Sequence, residues 1–215
     1  MLEVVTMVLG PVSTNAYLLA DSESGEAAVV DPAWDGERIA AEAERRGWRI
    51  GQAWITHAHF DHIGGLSALA ESLTRLNHPL QIALHSADLF LWKDGGLGGS
   101  MGFAVESGPE PTVDLAAVRT LSLGGLQFEV RHAPGHTPGL CIFYCATESV
   151  LFSGDLIFQG GVGRTDLPGG DWETLLRSIR SQVLTLPDET HILPGHGPGT
   201  TVGEEKAGNP FVMGS

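Results

Sequence analysis

The chain has 215 residues, and 12 Lys and Arg stand against 26 Asp and Glu for a formal net charge of −14. That length buries one substantial core and fits one domain better than two. The charge argues against a phosphate-rich partner, because nucleic-acid binding draws most of its affinity from Lys and Arg; no nucleic acid is expected. A small anionic substrate stays compatible, since bound divalent cations would reverse the local field. The opening MLEVVTMVLGPVS carries Glu3 and no basic cluster, unlike a signal peptide. No apolar run reaches the roughly 18 residues of a membrane span, so a soluble, cytoplasmic protein with no membrane partner is expected.

In chain order, strand-like runs at Glu3 to Leu9, Ala16 to Ala20 and Ala27 to Val30 are separated by turn residues, a β-meander opening. Helix formers from Glu37 to Arg46, with a carboxylate in the first turn and Gly47 after the last, predict a capped surface helix. WRIGQAWIT then reads as a strand, GGLSALAESLTRL as a helix, Gln81 to Leu84 as a strand and Ser86 to Trp92 as a short helix. Residues Lys93 to Thr112, rich in Gly and Pro, read as a long irregular loop. Loops of that length are either functional lids or surface insertions; a position over the active site is expected. Strands follow at Val118 to Leu123, Leu126 to His132, Leu140 to Cys145 and Val150 to Phe152, then a helix from Trp172 to Leu184 and a strand at His191 to Leu193. Each half runs strands first and helices after, which predicts an α/β architecture of two sheets face to face with helices outside. Cys141 and Cys145 share one strand, about 13 Å apart at about 3.3 Å per residue, too far for a disulfide. They are expected to be packed thiols.

The chemistry concentrates in Thr56-His57-Ala58-His59-Phe60-Asp61-His62, between a strand and a helix. His57 and His59, at i and i+2 of an extended segment, point the same way and can reach one cation, and Asp61 and His62 follow where the chain turns into the helix. Three more candidates stand at strand ends beside Gly or Pro: His136 in APGHTPG, Asp155 in LFSGDLI and His196 in LPGHGPG. Rigid turns of that kind bring ligands from distant sequence to one point. Counting valences predicts two metals, with His57, His59 and His136 at one, Asp61, His62 and His196 at the other, and Asp155 bridging them. Histidine with carboxylate suits zinc foremost, with iron or manganese as alternatives. A water between such ions would have its pKa lowered to about 7, giving a nucleophile without Ser or Cys.

With these residues in view, the sequence resembles the metallo-β-lactamase superfamily over nearly the whole chain. AAVVDPAW, APGHTPG, GDLIFQGGVGRTDLPGG, LPGHGPGTT and EEKAGNPF resemble its glyoxalase II-like (hydroxyacylglutathione hydrolase) branch, and more narrowly the short single-domain bacterial members. The resemblance implies an αββα sandwich of two mixed β-sheets with helices on the outer faces, spanning 1–215 as one domain. It implies a binuclear site with the ligands above, Asp61, His62 and Asp155 acting in catalysis, and cleavage of a small thioester, S-lactoylglutathione or a related one, by a metal-bound hydroxide. The C-terminal helical domain that binds glutathione in full-length glyoxalase II is not expected here. The branch also resembles persulfide dioxygenases, which hold a single iron on two histidines and an aspartate, here His57, His136 and Asp155. A lactone or other ester hydrolase is a further alternative, and a non-catalytic metal-binding protein is disfavoured because all seven ligands are present.

Smaller readings complete the picture. Asp31 in VVDP is either an acceptor that orients the histidine loop or a strand-end turn residue. Arg164 and Asp166 in GRTD are expected to form an ion pair shaping the pocket loop. His78, His85, His132 and His191 fall outside the pattern.

Overall fold

In β2 (Thr14–Asp21) all eight residues are buried, and odd and even positions face two different cores. A strand buried on both faces belongs inside a layered structure, with one face against a second sheet and the other under helices. The computed structural model describes residues 1–212; residues 213–215 of the expected domain lie outside the described residues.

β1 (Leu2–Leu9), β2, β3 (Glu26–Val30), β4 (Arg49–Trp54), β5 (Gln81–Leu84) and β6 (Val113–Asp114) form the first sheet in that order. Its first three strands pair antiparallel and the rest parallel. The second sheet is built from β7 (Thr120–Leu123), β8 (Leu126–His132), β9 (Cys141–Cys145), β10 (Val150–Gly154), β13 (His191–Pro194) and β14 (Thr200–Thr201), ordered β14-β13-β10-β9-β8-β7. Only β10 and β13 are parallel there. A small hairpin of β11 (Ile157–Phe158) and β12 (Gly161–Val162) leaves the end of β10.

Three apolar clusters fill the three gaps between four layers. Between the sheets lie Tyr17, Leu19, Val30 and Trp54 against Phe128, Phe143, Phe152 and both cysteines. Trp54 meets Phe128 edge-on at 4.8 Å and Phe143 at 5.7 Å. Burying each such ring stabilises the fold by about 2–3 kcal/mol. The outer face of the first sheet packs under α1 (Gly36–Arg46) and α3 (Leu66–Arg75), which present Ile39, Ala43, Leu66, Leu69 and Leu73 at helical spacing. α2 (Phe60–Ile63) and α4 (Leu89–Lys93) add Ile63, and Leu91 with Trp92, to the same cluster. The second sheet is covered by α5 (Trp172–Ser178), the helical turn that continues it and α6 (Val202–Gly208), through Leu175, then Ile179 and Val183, then Val202. This is the αββα sandwich of mixed sheets.

The structure corrects several element boundaries. The helix expected from Trp172 to Leu184 is α-helical only to Ser178, and Ile179–Val183 is a π-helical turn. The strand expected from Val118 begins at Thr120. α6 was not expected, although Thr201 and Glu204 form a capping box that the sequence shows as T-x-x-E. The loop from Lys93 to Thr112 contains a 3-10 turn at Gly98–Met101. Cys141 and Cys145 are free and buried, and burial pushes the Cys141 thiol up. Among the described residues no helix is long and apolar enough to cross a membrane.

Candidate metal centre

β4, β8, β10 and β13 each end at the same edge of the sandwich, and the segments leaving them carry the predicted residues. His57 and His59 follow β4, with His59 the residue before α2 and Asp61 and His62 inside it. His136, Asp155 and His196 follow β8, β10 and β13. Their side-chain donor atoms gather into three overlapping groups able to hold a cation: His57 with His59 and His136, Asp61 with His62 and His196, and His57 with His62 and Asp155. All seven predicted residues are therefore brought together.

In the first group His59 Nδ1 lies 2.9 Å, and His57 Nε2 3.2 Å, from His136 Nε2. In the second, His196 Nε2 is 3.1 Å and His62 Nε2 3.6 Å from Asp61 Oδ2. Asp155 stands between them: its Oδ1 is 3.3 Å from His62 Nε2, and its Oδ2 is 3.6 Å from His196 Nε2 and 3.7 Å from His136 Nε2.

Hydrogen bonds on the far sides of the rings fix which nitrogens face inward as acceptors. His136 Nδ1 donates to the Arg164 carbonyl at 2.7 Å, and His62 Nδ1 to Asp31 Oδ2 at 2.9 Å. The Thr56 hydroxyl donates to Asp31 at 2.6 Å, which leaves its oxygen to accept from His57 Nδ1 at 3.0 Å. Whenever these three rings are neutral, as metal binding requires, their inward nitrogens carry the lone pairs. His62 Nε2 and Asp155 Oδ1 are buried without a hydrogen-bond partner. Buried lone pairs aimed at one another are costly unless a cation satisfies them, so the donor set fits divalent metal ions.

The electrostatics of the two groups differ. Burial, reinforced by the neighbouring imidazoles, holds His57 well below the usual histidine range and pushes His59 down to about 3. For His62 burial acts the same way but Asp155, Asp61 and Asp31 outweigh it, raising it well above that range. His196 is raised too, against burial, by its bond to Asp61 and by Asp155. Asp61 and Asp155 lie below the carboxylate range, burial being overcome by the histidines beside them.

Asp31, one of whose two readings was a positioning acceptor, takes that role. It bonds the Thr56 amide at 2.7 Å besides the Thr56 hydroxyl and His62. Its backbone sits at φ 49, a left-handed conformation that a non-glycine residue adopts only when its surroundings enforce it. Sequence reading missed Asp88. Fully buried, it accepts from the Ala58 amide at 3.2 Å, the Thr137 hydroxyl at 2.8 Å and the Gly139 amide at 2.6 Å. One carboxylate thereby ties the His57-to-His59 segment to the His136 turn. Thr14, also missed, donates to Asp61 at 3.0 Å, and Asn15 and Tyr17 both hold the Pro194 carbonyl before His196. Gly195 must lack a side chain because a Cβ there would collide with the Asp155 carboxylate and His62.

A cavity of about 300 Å³ opens over the cluster, lined by His59, Asp61, His136, Asp155 and His196 on its floor. Gly96, Leu97, Met101 and Phe103 of the glycine-rich loop form one wall. Gly96, at φ 65, lays its backbone on the start of α2, where its carbonyl accepts from the Phe60 amide at 2.9 Å. Arg164 and Asp166 form the expected ion pair at the rim, both bonds at 2.7 Å. Of the remaining histidines, His85 and His132 stack at 4.1 Å away from the cluster, and His191 is exposed.

The sequence profile of the metallo-beta-lactamase superfamily matches residues 9–196, a span containing all seven predicted residues. The chain belongs to the metallo-beta-lactamase superfamily. It is 36% identical over 213 residues to the hydroxyacylglutathione hydrolase GloC of Haemophilus influenzae, covering 92% of each chain. Among solved structures, the BLEG-1 B3 metallo-beta-lactamase superposes with a TM-score of 0.90 at 37% identity, with both chains covered in full. TTHA1623 in a di-iron-bound form superposes at 0.85 with 39% identity, over 96% of this chain and 99% of its own. In this metallo-beta-lactamase superfamily member the cluster lies at one edge of the sandwich, with the loop wall above it.

Proposed function

We propose that this metallo-hydrolase cleaves thioesters, with two divalent ions held by the seven residues and zinc the first candidate. The observation that supports it most is the position of Asp155, whose two oxygens face His62 on one side and His136 and His196 on the other. A carboxylate so placed can serve two ions at once. His57, His59 and His136 would hold one ion and Asp61, His62 and His196 the other. When bound, such ions supply Lewis acidity and a water whose pKa falls to about 7. The chain's own groups do the rest. Asp31 and the Arg164 carbonyl keep protons on the outward nitrogens of His62 and His136, so the inward ones stay available. Asp61, at the cavity floor and steadied by the Thr14 hydroxyl, is the carboxylate available to orient a water toward a bound carbonyl. Leu97, Met101 and Phe103 shield the reacting carbonyl from bulk solvent. Similarity to the hydroxyacylglutathione hydrolase GloC supports a thioester over a β-lactam, and similarity to the BLEG-1 metallo-beta-lactamase makes β-lactams the control substrate.

The test uses protein reconstituted with zinc under anaerobic conditions and a thioester panel that includes S-lactoylglutathione. Hydrolysis without dioxygen is the expected result. No cleavage of any thioester, while iron-loaded protein consumes oxygen with glutathione persulfide, would replace the hydrolase by a sulfur dioxygenase.

A further inference from the structure

Beyond its floor of histidine and carboxylate, the cavity is walled by Val12, Phe60, Leu97, Met101, Phe103 and Leu167. Arg164 is the one lysine or arginine among the lining residues, and its guanidinium is already closed by Asp166 through two parallel bonds of 2.7 Å. A substrate carboxylate reaching this guanidinium would have to share it with Asp166. Asp61 and Asp155, the other charged liners, face the histidines. We infer that this cavity selects thioesters whose acyl group and thiol carrier are uncharged and apolar, in preference to thioesters of glutathione, a tripeptide with two carboxylates. The inference rests on the thioester reading and specifies its substrate class.

Two further observations carry it. The apolar wall is preformed: Phe103 stacks on Phe60 at 5.0 Å with the rings 12° apart, and meets Trp34 edge-on at 6.3 Å. A wall fixed in this way loses little entropy when a ligand arrives. At the mouth, Val12 and Met101 are 43% and 41% exposed on a chain of net charge −14. Large apolar side chains left in water beside a functional cavity are covered when an apolar ligand binds. Away from the metal-binding floor, a carrier with two carboxylates and an ammonium would meet an apolar wall and an Arg164 shared with Asp166, whereas a neutral apolar carrier would cover Val12 and Met101.

The experiment compares one acyl group on two carriers, using the protein with its metal bound. Acetyl, butanoyl and hexanoyl thioesters of N-acetylcysteamine and of glutathione are assayed for kcat/KM. Calorimetry measures binding of the uncleavable thioethers S-hexyl-N-acetylcysteamine and S-hexylglutathione. The neutral carrier should be favoured at least tenfold in both measurements, and kcat/KM should rise about fourfold for each methylene added to the acyl chain. Met101→Gln, a change in the apolar wall, should flatten that chain-length dependence on both carriers. Equal or better use of the glutathione thioesters, or no dependence on chain length, would overturn the inference and leave thioester hydrolysis standing. If no thioester is cleaved but the neutral thioether still binds at least tenfold tighter, the cavity preference holds and the thioester reading fails.

Discussion

His57, His59 and His136 converge with no carboxylate in their group, whereas His62 and His196 face Asp61 and Asp155. The same side-chain type is driven in opposite directions a few ångströms apart. Burial and neighbouring rings depress His57 and His59, and carboxylates raise His62 and His196. A cation entering the first half meets His57 and His59 already neutral. In the second half it must displace protons, so affinity there depends more steeply on pH. The difference shows that a metal centre is specified by what surrounds each ligand as much as by the ligands.

The largest effect is expected from Asp155→Ala, because one carboxylate faces both halves. Metal analysis should find both equivalents weakened together, and turnover should fall about 10³-fold, corresponding to several kcal/mol of lost charge stabilisation. Full metal content with native turnover would separate the halves altogether. Asp31→Ala comes next, since Asp31 holds His62 directly and His57 through Thr56. Metal affinity should drop roughly 10- to 100-fold, measured by competition with a chelator. Asp88→Asn should act on the histidine-only half, at the low end of that range, because its partners flank His57, His59 and His136.

The electrostatic contrast itself is open to titration. In metal-free protein, imidazole NMR signals should show His59 protonating near 3 and His57 staying neutral well below the ordinary histidine range. His62 and His196 should remain protonated above the ordinary value of about 6.5. The signs of the linkage follow. The depressed pair contributes a cost that appears as pH falls below about 6.5, where the unfolded chain takes up protons that the folded one refuses. The raised pair stabilises the fold below about 6.5 and loses that contribution as pH rises through its folded values. Metal binding at pH 7 should accordingly release protons from His62 and His196 and not from His57 or His59, read by calorimetry in buffers of different ionisation enthalpy. The smallest effect is expected for Thr14→Val, which removes one hydrogen bond to Asp61 and should cost about 1 kcal/mol, a few-fold in turnover.

The sequence displayed the ligands because each sits in a local signature: three histidines and an aspartate within 57–62, and Pro-Gly turns at 136 and 196. Asp31 was visible as a strand-end aspartate, though only the fold decides that it reaches His62 across 31 positions. Asp88 was hidden inside what read as an ordinary short helix, since its partners lie 30 to 51 residues away. The cavity wall was legible only as glycine density. Which residues of that loop face the cluster depends on Gly96 resting against Phe60, a contact that no periodicity announces. The π-helical turn after Ser178 was likewise unreadable, because Ile179 and Val183 keep a helical apolar pattern in either geometry.

The central claim is that both halves act together in hydrolysis, and titrating zinc into metal-free protein while following anaerobic thioester cleavage tests it most directly. The rate should climb until two equivalents per chain are bound. A maximum at one equivalent, or a strict need for dioxygen, would contradict it.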